Sequence, residues 1–258
     1  MHLKKKIIGV ISVIKGIKPS LYVSFDSLYK QDLQYVKHLV IFIDIDDQKI
    51  KFLKKKYNES FFIEENANNY KNKFFAINQA IALIDTEYIC FLHDDDKYIN
   101  SNYLSDSIKK INYQKIDLIY SNIIFETDGV KKREWLLDKK FNLFSFHNIP
   151  AHTSIIYRKD YHNKIGDYSL NFPIAADFDF MIKLFTIQNL KTERINYTSL
   201  SMNIGGDSTN LKNFLKVFKE DLKIFKNNGL SFALLRTILK KLLKIRQLNG
   251  LPLSNTKI

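Results

Sequence analysis

Short apolar runs alternate with amphipathic stretches along the amino-terminal part of the chain. IIGVISVI (7–14) is rich in β-branched residues and reads as a strand. In KPSLYVSFDSLYKQ (18–31), Leu21, Phe25 and Leu28 recur at three- and four-residue spacing, as on one helix face. HLVIFIDI (38–45) is a second strand that ends in acids, and DDQKIKFLKKKY (46–57) a second helix. FFIEEN (61–66) predicts a short strand and NKFFAINQAIALID (72–85) a helix. EYICFLHDDD (87–96) predicts a strand running into three aspartates. Strands and helices alternating at these intervals predict crossover units and an α/β fold with a mostly parallel sheet. The near-continuous apolar strands suit a sheet covered by helices on both faces.

The second half is less regular. IDLIYSNIIFE (116–126) reads as a strand or hairpin, and HNIPAHTSIIYRKDYHNKIG (147–166) as a loop entering a strand. AADFDFMIKLFTIQ (175–188) predicts a helix, and NYTSLSMNIGGDSTN (196–210) a strand leading into a glycine-bearing loop. The composition shifts near Leu211, which divides the chain into a main domain (1–210) and a basic helical extension (211–258).

In open sheets of this kind, ligands bind beyond the carboxyl ends of the strands. Asp44 and Asp46 close one apolar strand, and Asp94, Asp95 and Asp96 close another, so both acidic groups belong on one rim. Three adjacent carboxylates repel one another. They are either an exposed acidic turn or the oxygen ligands of a hard divalent cation such as Mg²⁺ or Mn²⁺. The buried run YICFL just before them and the acids on a neighbouring strand favour the cation.

Taken in order, IIGVISVI, HLVIFID, FFIEEN, FAINQAI, EYICFLHDDDKY, HTSIIYRKD, AADFDFMIKL and NIGGDS resemble glycosyltransferase family 2 over about residues 7 to 210. These are GT-A-fold enzymes of the type that builds bacterial surface polysaccharides. The resemblance implies a nucleotide-sugar donor, commonly a UDP-sugar, whose diphosphate is held by Mn²⁺ or Mg²⁺ on a D-x-D motif. It makes Asp94 and Asp96 the D-x-D carboxylates and metal site, with Asp95 between them. Asp96 is then the direct metal contact, and Asp94 faces the sugar or ribose. Asp44, or Asp46, matches the acid that recognises the nucleobase, and Asn78 the asparagine beside the nucleotide. His152 stands where a phosphate- or metal-contacting histidine often occurs. Gly206, in Gly205-Gly206-Asp207-Ser208, matches a loop that closes over the donor.

Asp177, in Ala175-Ala176-Asp177-Phe178-Asp179, falls on the general base of an inverting hexosyl or N-acetylhexosaminyl transfer. Its bland alternative is an acid favoured by a helix N-terminus. The sequence departs from the family after Asp44, where no glycine or serine follows, and at Asn72, where a glycine is common.

Charge and cysteine usage refine this picture. The chain has a formal net charge of +13. From Leu211 onward, eleven Lys/Arg against Glu220 and Asp221 give the extension +9 of that total. Within SFALLRTILKKLLKIR (231–246), Leu235, Ile238, Leu239, Leu242 and Leu243 share one helical face, and Arg236, Lys240, Lys241 and Lys244 the other. Such a helix either lies on an anionic membrane or packs its leucines on the domain with its lysines in solvent. No nucleic-acid-binding motif accompanies the charge, so nucleic acid is not expected as a partner.

Cys90 is the single cysteine, which excludes an internal disulfide and fits a reducing compartment. The apolar stretch 7–14 is far shorter than the about 20 residues of a membrane span. These features fit a cytoplasmic enzyme, and the resemblance implies one peripheral on the inner face of a bacterial membrane, serving O-antigen (lipopolysaccharide) or capsule synthesis on a lipid-linked acceptor. The competing readings are a sugar-nucleotide nucleotidyltransferase, which lacks a glycine-rich phosphate loop here, and a non-catalytic basic membrane- or nucleic-acid-binding protein.

Overall fold

The computed structural model describes residues 5–65, 72–127, 129–137, 149–204 and 211–248. β1 (Ile8–Lys15), α1 (Pro19–Tyr29), β2 (Val36–Ile43), α2 (Asp47–Lys56), β3 (Ser60–Glu65), α3 (Lys73–Leu83) and β4 (Tyr88–Phe91) alternate as expected. Then come β5 (Asp96–Tyr98), α4 (Tyr103–Gln114), the hairpin strands β6 (Leu118–Thr127) and β7 (Val130–Trp135), and β8 (Ile155–Arg158). The short α5 (Tyr161–Ile165), α6 (Ala176–Phe185), β9 (Thr192–Asn203), α7 (Phe214–Asn227) and α8 (Ala233–Leu248) complete the fold.

Local chemistry sets the helix starts. Pro19 opens α1, where its fixed φ suits the first turn. Asp46 caps α2 through the backbone N–H groups of Gln48 and Lys49, and Asn72 caps α3 through those of Phe74 and Phe75. Nine strands, among the described residues, form one sheet in the order β3-β2-β1-β4-β8-β6-β9-β5, with β7 against β6. β1, β2, β3 and β4 pair in parallel, and so do β6 and β9; β8, β7 and β5 run antiparallel to their neighbours. Six strands therefore share one direction and end on one rim.

Helices cover both faces. α3 and α6 bury Phe74, Ile77, Phe180 and Leu184 against one side, and α4 buries Tyr103, Ile108 and Ile111 against the other. At Gly9 a Cβ would lie 2.2 Å from Ile84 Cδ1, so only glycine lets the turn after α3 sit on β1. Beyond residue 210, Ile224, Phe225 and Ala233 lie in the same core cluster as residues of α3 and α6.

Three expectations need correction. β4 stops at Phe91, so the aspartates do not end that strand: Asp94 and Asp95 form a turn, and Asp96 opens β5. α4 occupies a segment to which the pattern reading assigned no element. Finally, α8 is turned over relative to the bland packing expectation. Ala233, Thr237, Lys240 and Lys241 face the protein, while Leu235, Ile238, Leu239 and Leu242 are exposed.

Candidate functional site

The carboxyl ends of β1, β2 and β4 place the two acidic groups on the same rim, as the alternation implied. Asp44 follows β2 and takes a left-handed backbone conformation (φ 53°), which Asp tolerates better than most residues. β1 lies between β2 and β4, so the strand leading to Asp44 and the strand leading to the aspartate turn are next-but-one neighbours.

That turn is firmly held. Ser12 Oγ donates to the Leu92 carbonyl (2.7 Å), and Ser24 Oγ to the His93 carbonyl (2.8 Å). The Tyr98 amide donates to Ser27 Oγ (2.9 Å). Short serines on β1 and α1 thus satisfy buried backbone groups while letting the chain reverse tightly. β9 supports the far side, pairing Met202 with Asp96. Its register shifts against β6 near Asn122, where a sheet bends and twists more strongly.

Asp96 is 2% exposed, and its Oδ2 has no hydrogen-bond partner. Burial raises its pKa well above the usual carboxylate range, Asp95 and Asp94 add to this, and Lys73 partly offsets it. Asp95 is raised as well, first by burial and then by Asp94. Asp94 is more open and pairs with Lys18 (3.2 Å). An orphaned, nearly buried carboxylate oxygen beside two further acids is costly unless something positive meets it. These residues therefore fit a hard divalent cation. Among the described residues, no group of three or more His, Cys, Asp or Glu side chains is placed to hold a metal ion by itself.

Asp177 lies in the first turn of α6, where its Oδ1 accepts from the Phe178 amide (2.8 Å). It is within electrostatic reach of His93, the residue just before the aspartate turn. Burial lowers the His93 pKa to about 3, Lys73 and His152 lower it further, and Asp177 opposes them. One charge neighbourhood thus joins the aspartate turn to the start of α6. The α6 N-terminus has no cap of its own. Instead Glu220 of α7 reaches across, its Oε2 accepting from the Ile174 (3.1 Å) and Ala175 (2.8 Å) amides. Asp179 is structural, tied to Lys183 (2.7 Å) and Asn228 (2.9 Å).

Other expected residues have occupied polar atoms. Asp46 spends Oδ1 on the α2 cap. The Asn78 amide donates to the Tyr168 carbonyl (2.9 Å) and accepts from the Tyr168 amide (3.1 Å), stapling α3 to the segment before α6. His152 is buried, stacks on Phe91 (4.4 Å) and shares a 2.6 Å hydrogen bond with the Tyr168 hydroxyl; burial lowers its pKa to about 3. Gly206 and its loop lie outside the described residues.

Lys18, Lys73 and Glu220 escaped the sequence reading. A signal for the two lysines existed, since both stand at helix N-termini, where the macrodipole disfavours a cation. Glu220 carried no local signal, because its partners lie 45 and 46 residues away.

No family model matches the chain. Relatives in Mycobacterium tuberculosis and Mycobacterium bovis, named PGL/p-HBAD biosynthesis glycosyltransferase, are 28% identical over 149 residues, which is 55% of this chain and 56% of theirs. The chain thus matches little more than half the length of these curated relatives. Among solved structures, S. aureus TarS 1–349 superposes with a TM-score of 0.68 at 18% identity, covering 97% of this chain and 76% of that one. Its complex with UDP-GlcNAc gives 0.67 at 17%, covering 94% and 72%. The mannosyltransferase PcManGT from Pyrobaculum calidifontis, in complex with GDP-Man and Mn²⁺, gives 0.61 at 10%, covering 94% and 76%. Strand order, helical layers and these superpositions converge: the chain has a family 2-like glycosyltransferase fold of the GT-A type.

Proposed function

We propose that the protein is an inverting glycosyltransferase that moves a hexosyl or N-acetylhexosaminyl unit from a nucleoside-diphosphate sugar, a UDP-sugar by preference, to a glycan acceptor. The observation that carries this reading is the buried Asp96 carboxylate, whose Oδ2 has no partner, set beside Asp94 and Asp95 on the rim that also holds Asp44. The mycobacterial relatives named as glycosyltransferases and the nucleotide-bound structural neighbours support the same class.

In this reading Asp96, with Asp94, holds Mn²⁺ or Mg²⁺, which supplies positive charge to the donor diphosphate. Asp44 meets the nucleobase side, Asp94 also faces the sugar or ribose, and Asp95 lies between the two metal-holding carboxylates. Lys18 and Lys73 add positive charge near the departing diphosphate. Asn78 and His152 shape the donor pocket through Tyr168. The acceptor hydroxyl oxygen bonds to the anomeric carbon as the bond from that carbon to the diphosphate oxygen breaks. Asp177 takes the hydroxyl proton, and the single displacement inverts the anomeric centre. The acceptor is a lipid-linked precursor of O-antigen or capsule at the cytosolic face of a bacterial membrane.

The test is UDP release from a panel of nucleotide sugars, measured with and without Mn²⁺. Metal-dependent release is expected with at least one UDP-sugar. Asp177→Asn should keep donor binding and lose transfer by about 10²–10⁴-fold. Full transfer by that variant removes Asp177 as the base. Release of pyrophosphate from a sugar phosphate and a nucleoside triphosphate would instead assign nucleotidyl transfer.

A further inference from the structure

α8 presents its faces the wrong way round for an ordinary packing helix. The residues turned inward are Ala233, Thr237, Lys240 and Lys241. The two lysines grip Asp221, which is 0% exposed, at 2.6 and 2.8 Å, and Lys240 Nζ also sits 3.1 Å above the Phe178 ring. The apolar residues point outward: Phe232 and Leu234 just before and within the first turn, then Leu235, Ile238, Leu239 and Leu242, exposed by 41–76%. A stripe of this kind marks an interaction surface.

Charge decides between occupants. On α7, which α8 grips through Asp221, Lys216, Lys219, Lys223, Lys226 and Leu215 are exposed as well. Closing the stripe on a second copy by two-fold symmetry would bring both sets of lysines together on a chain of net charge +13. An anionic bilayer instead accepts leucines among its acyl chains and lysines among its headgroups.

We infer that the outward faces of α7 and α8 dock the protein on an anionic lipid surface, through the leucines of α8 and the lysines of α7. The lysines of α8 act inward, as the fastening that holds the helix in this orientation. Docking also aligns the active site. Lys240 touches Phe178, the neighbour of Asp177, so the membrane-facing helix backs directly onto the start of α6. This last point rests on the proposed transfer to a lipid-linked acceptor; the lipid contact itself does not.

The experiment is flotation of the full chain with vesicles of phosphatidylcholine alone, or of equal parts phosphatidylcholine and phosphatidylglycerol. Wild type should float with the mixed vesicles, and less so as salt rises. Leu235→Gln/Leu239→Gln should reduce binding by about tenfold or more. Lys219→Glu/Lys223→Glu should abolish the preference for phosphatidylglycerol. Both variants should keep wild-type circular dichroism and donor hydrolysis in vesicle-free buffer. That readout separates failure of the docking from failure of the proposed activity. Wild type that stays with the unbound fraction, or a leucine variant that floats like wild type, overturns the inference. So does a wild-type dimer in sedimentation that the leucine variant dissociates, which would give the face to a second copy.

Discussion

Asp96 shows what a residue contributes when its local energetics run against stability. Its carboxylate is nearly buried, one oxygen lacks a partner, and its pKa is raised first by burial and then by two neighbouring acids. Asp96→Asn removes a charge that the metal-free fold tolerates poorly. The metal-free variant should therefore gain stability of about 1 kcal/mol, a rise of ~2–4 °C in Tm. UDP with Mn²⁺ should raise the Tm of wild type, and the same variant should lose that increase. Differential scanning fluorimetry reads both; a destabilised metal-free variant would mean that Asp96 has a structural partner. At this scale the sequence was a good guide to where acids gather, because adjacency is visible in one dimension. It was a poor guide to what holds them. Within the fold, Asp46 Oδ1 caps α2, the Asn78 amide holds the Tyr168 peptide and His152 Nε2 meets the Tyr168 hydroxyl, none of which can be read from the order of residues.

Among the elements, α7 and α8 depend on one buried charge. Burial opposes ionisation of Asp221, yet Lys240 and Lys241 hold its pKa below the usual range. Asp221→Asn leaves two lysines facing a neutral amide, so urea unfolding should show a loss of about 3–5 kcal/mol. A loss below 1 kcal/mol would indicate that α8 is held by other contacts. The early strands and helices were legible because apolar periodicity and capping residues agreed. α4 carried a helical pattern too, in Tyr103, Leu104, Ile108 and Ile111, but its lysines and polar residues obscured it. β5 has only three residues, too few for any periodicity to register. The orientation of α8 was hidden for a different reason. Amphipathicity tells which residues share a face, and only Asp221, buried on another helix, reverses the usual choice of which face turns inward.

Over the whole molecule, buried histidines set the acid limit. Burial lowers the pKa of His38 and His152 to about 3 and that of His162 to about 4, against an ordinary 6.5. Lowered values mean that the unfolded chain takes up protons before the folded one does. Nothing is lost above pH 6.5. Below it, each histidine costs up to ~1.4 kcal/mol per pH unit until its folded pKa is reached. Tm should therefore fall steadily from pH 6.5 towards 4. His152→Phe should flatten that fall by one proton's share, since phenylalanine can still stack on Phe91 and the Tyr168 hydroxyl keeps Tyr157. An unchanged slope would show that His152 already titrates in the native state.

The serine-pinned reversal between β4 and β5 carries a kinetic corollary. Only residues 92–95 join the two strands, and Ser12, Ser24 and Ser27 anchor the chain there. With no slack to take up, the acids arrive already crowded, and their mutual repulsion is built in during folding rather than on ligand arrival. For the proposed metal-dependent transferase, the expected pace of ion capture is then that at which the ion sheds its hydration water, with the protein as a finished mould.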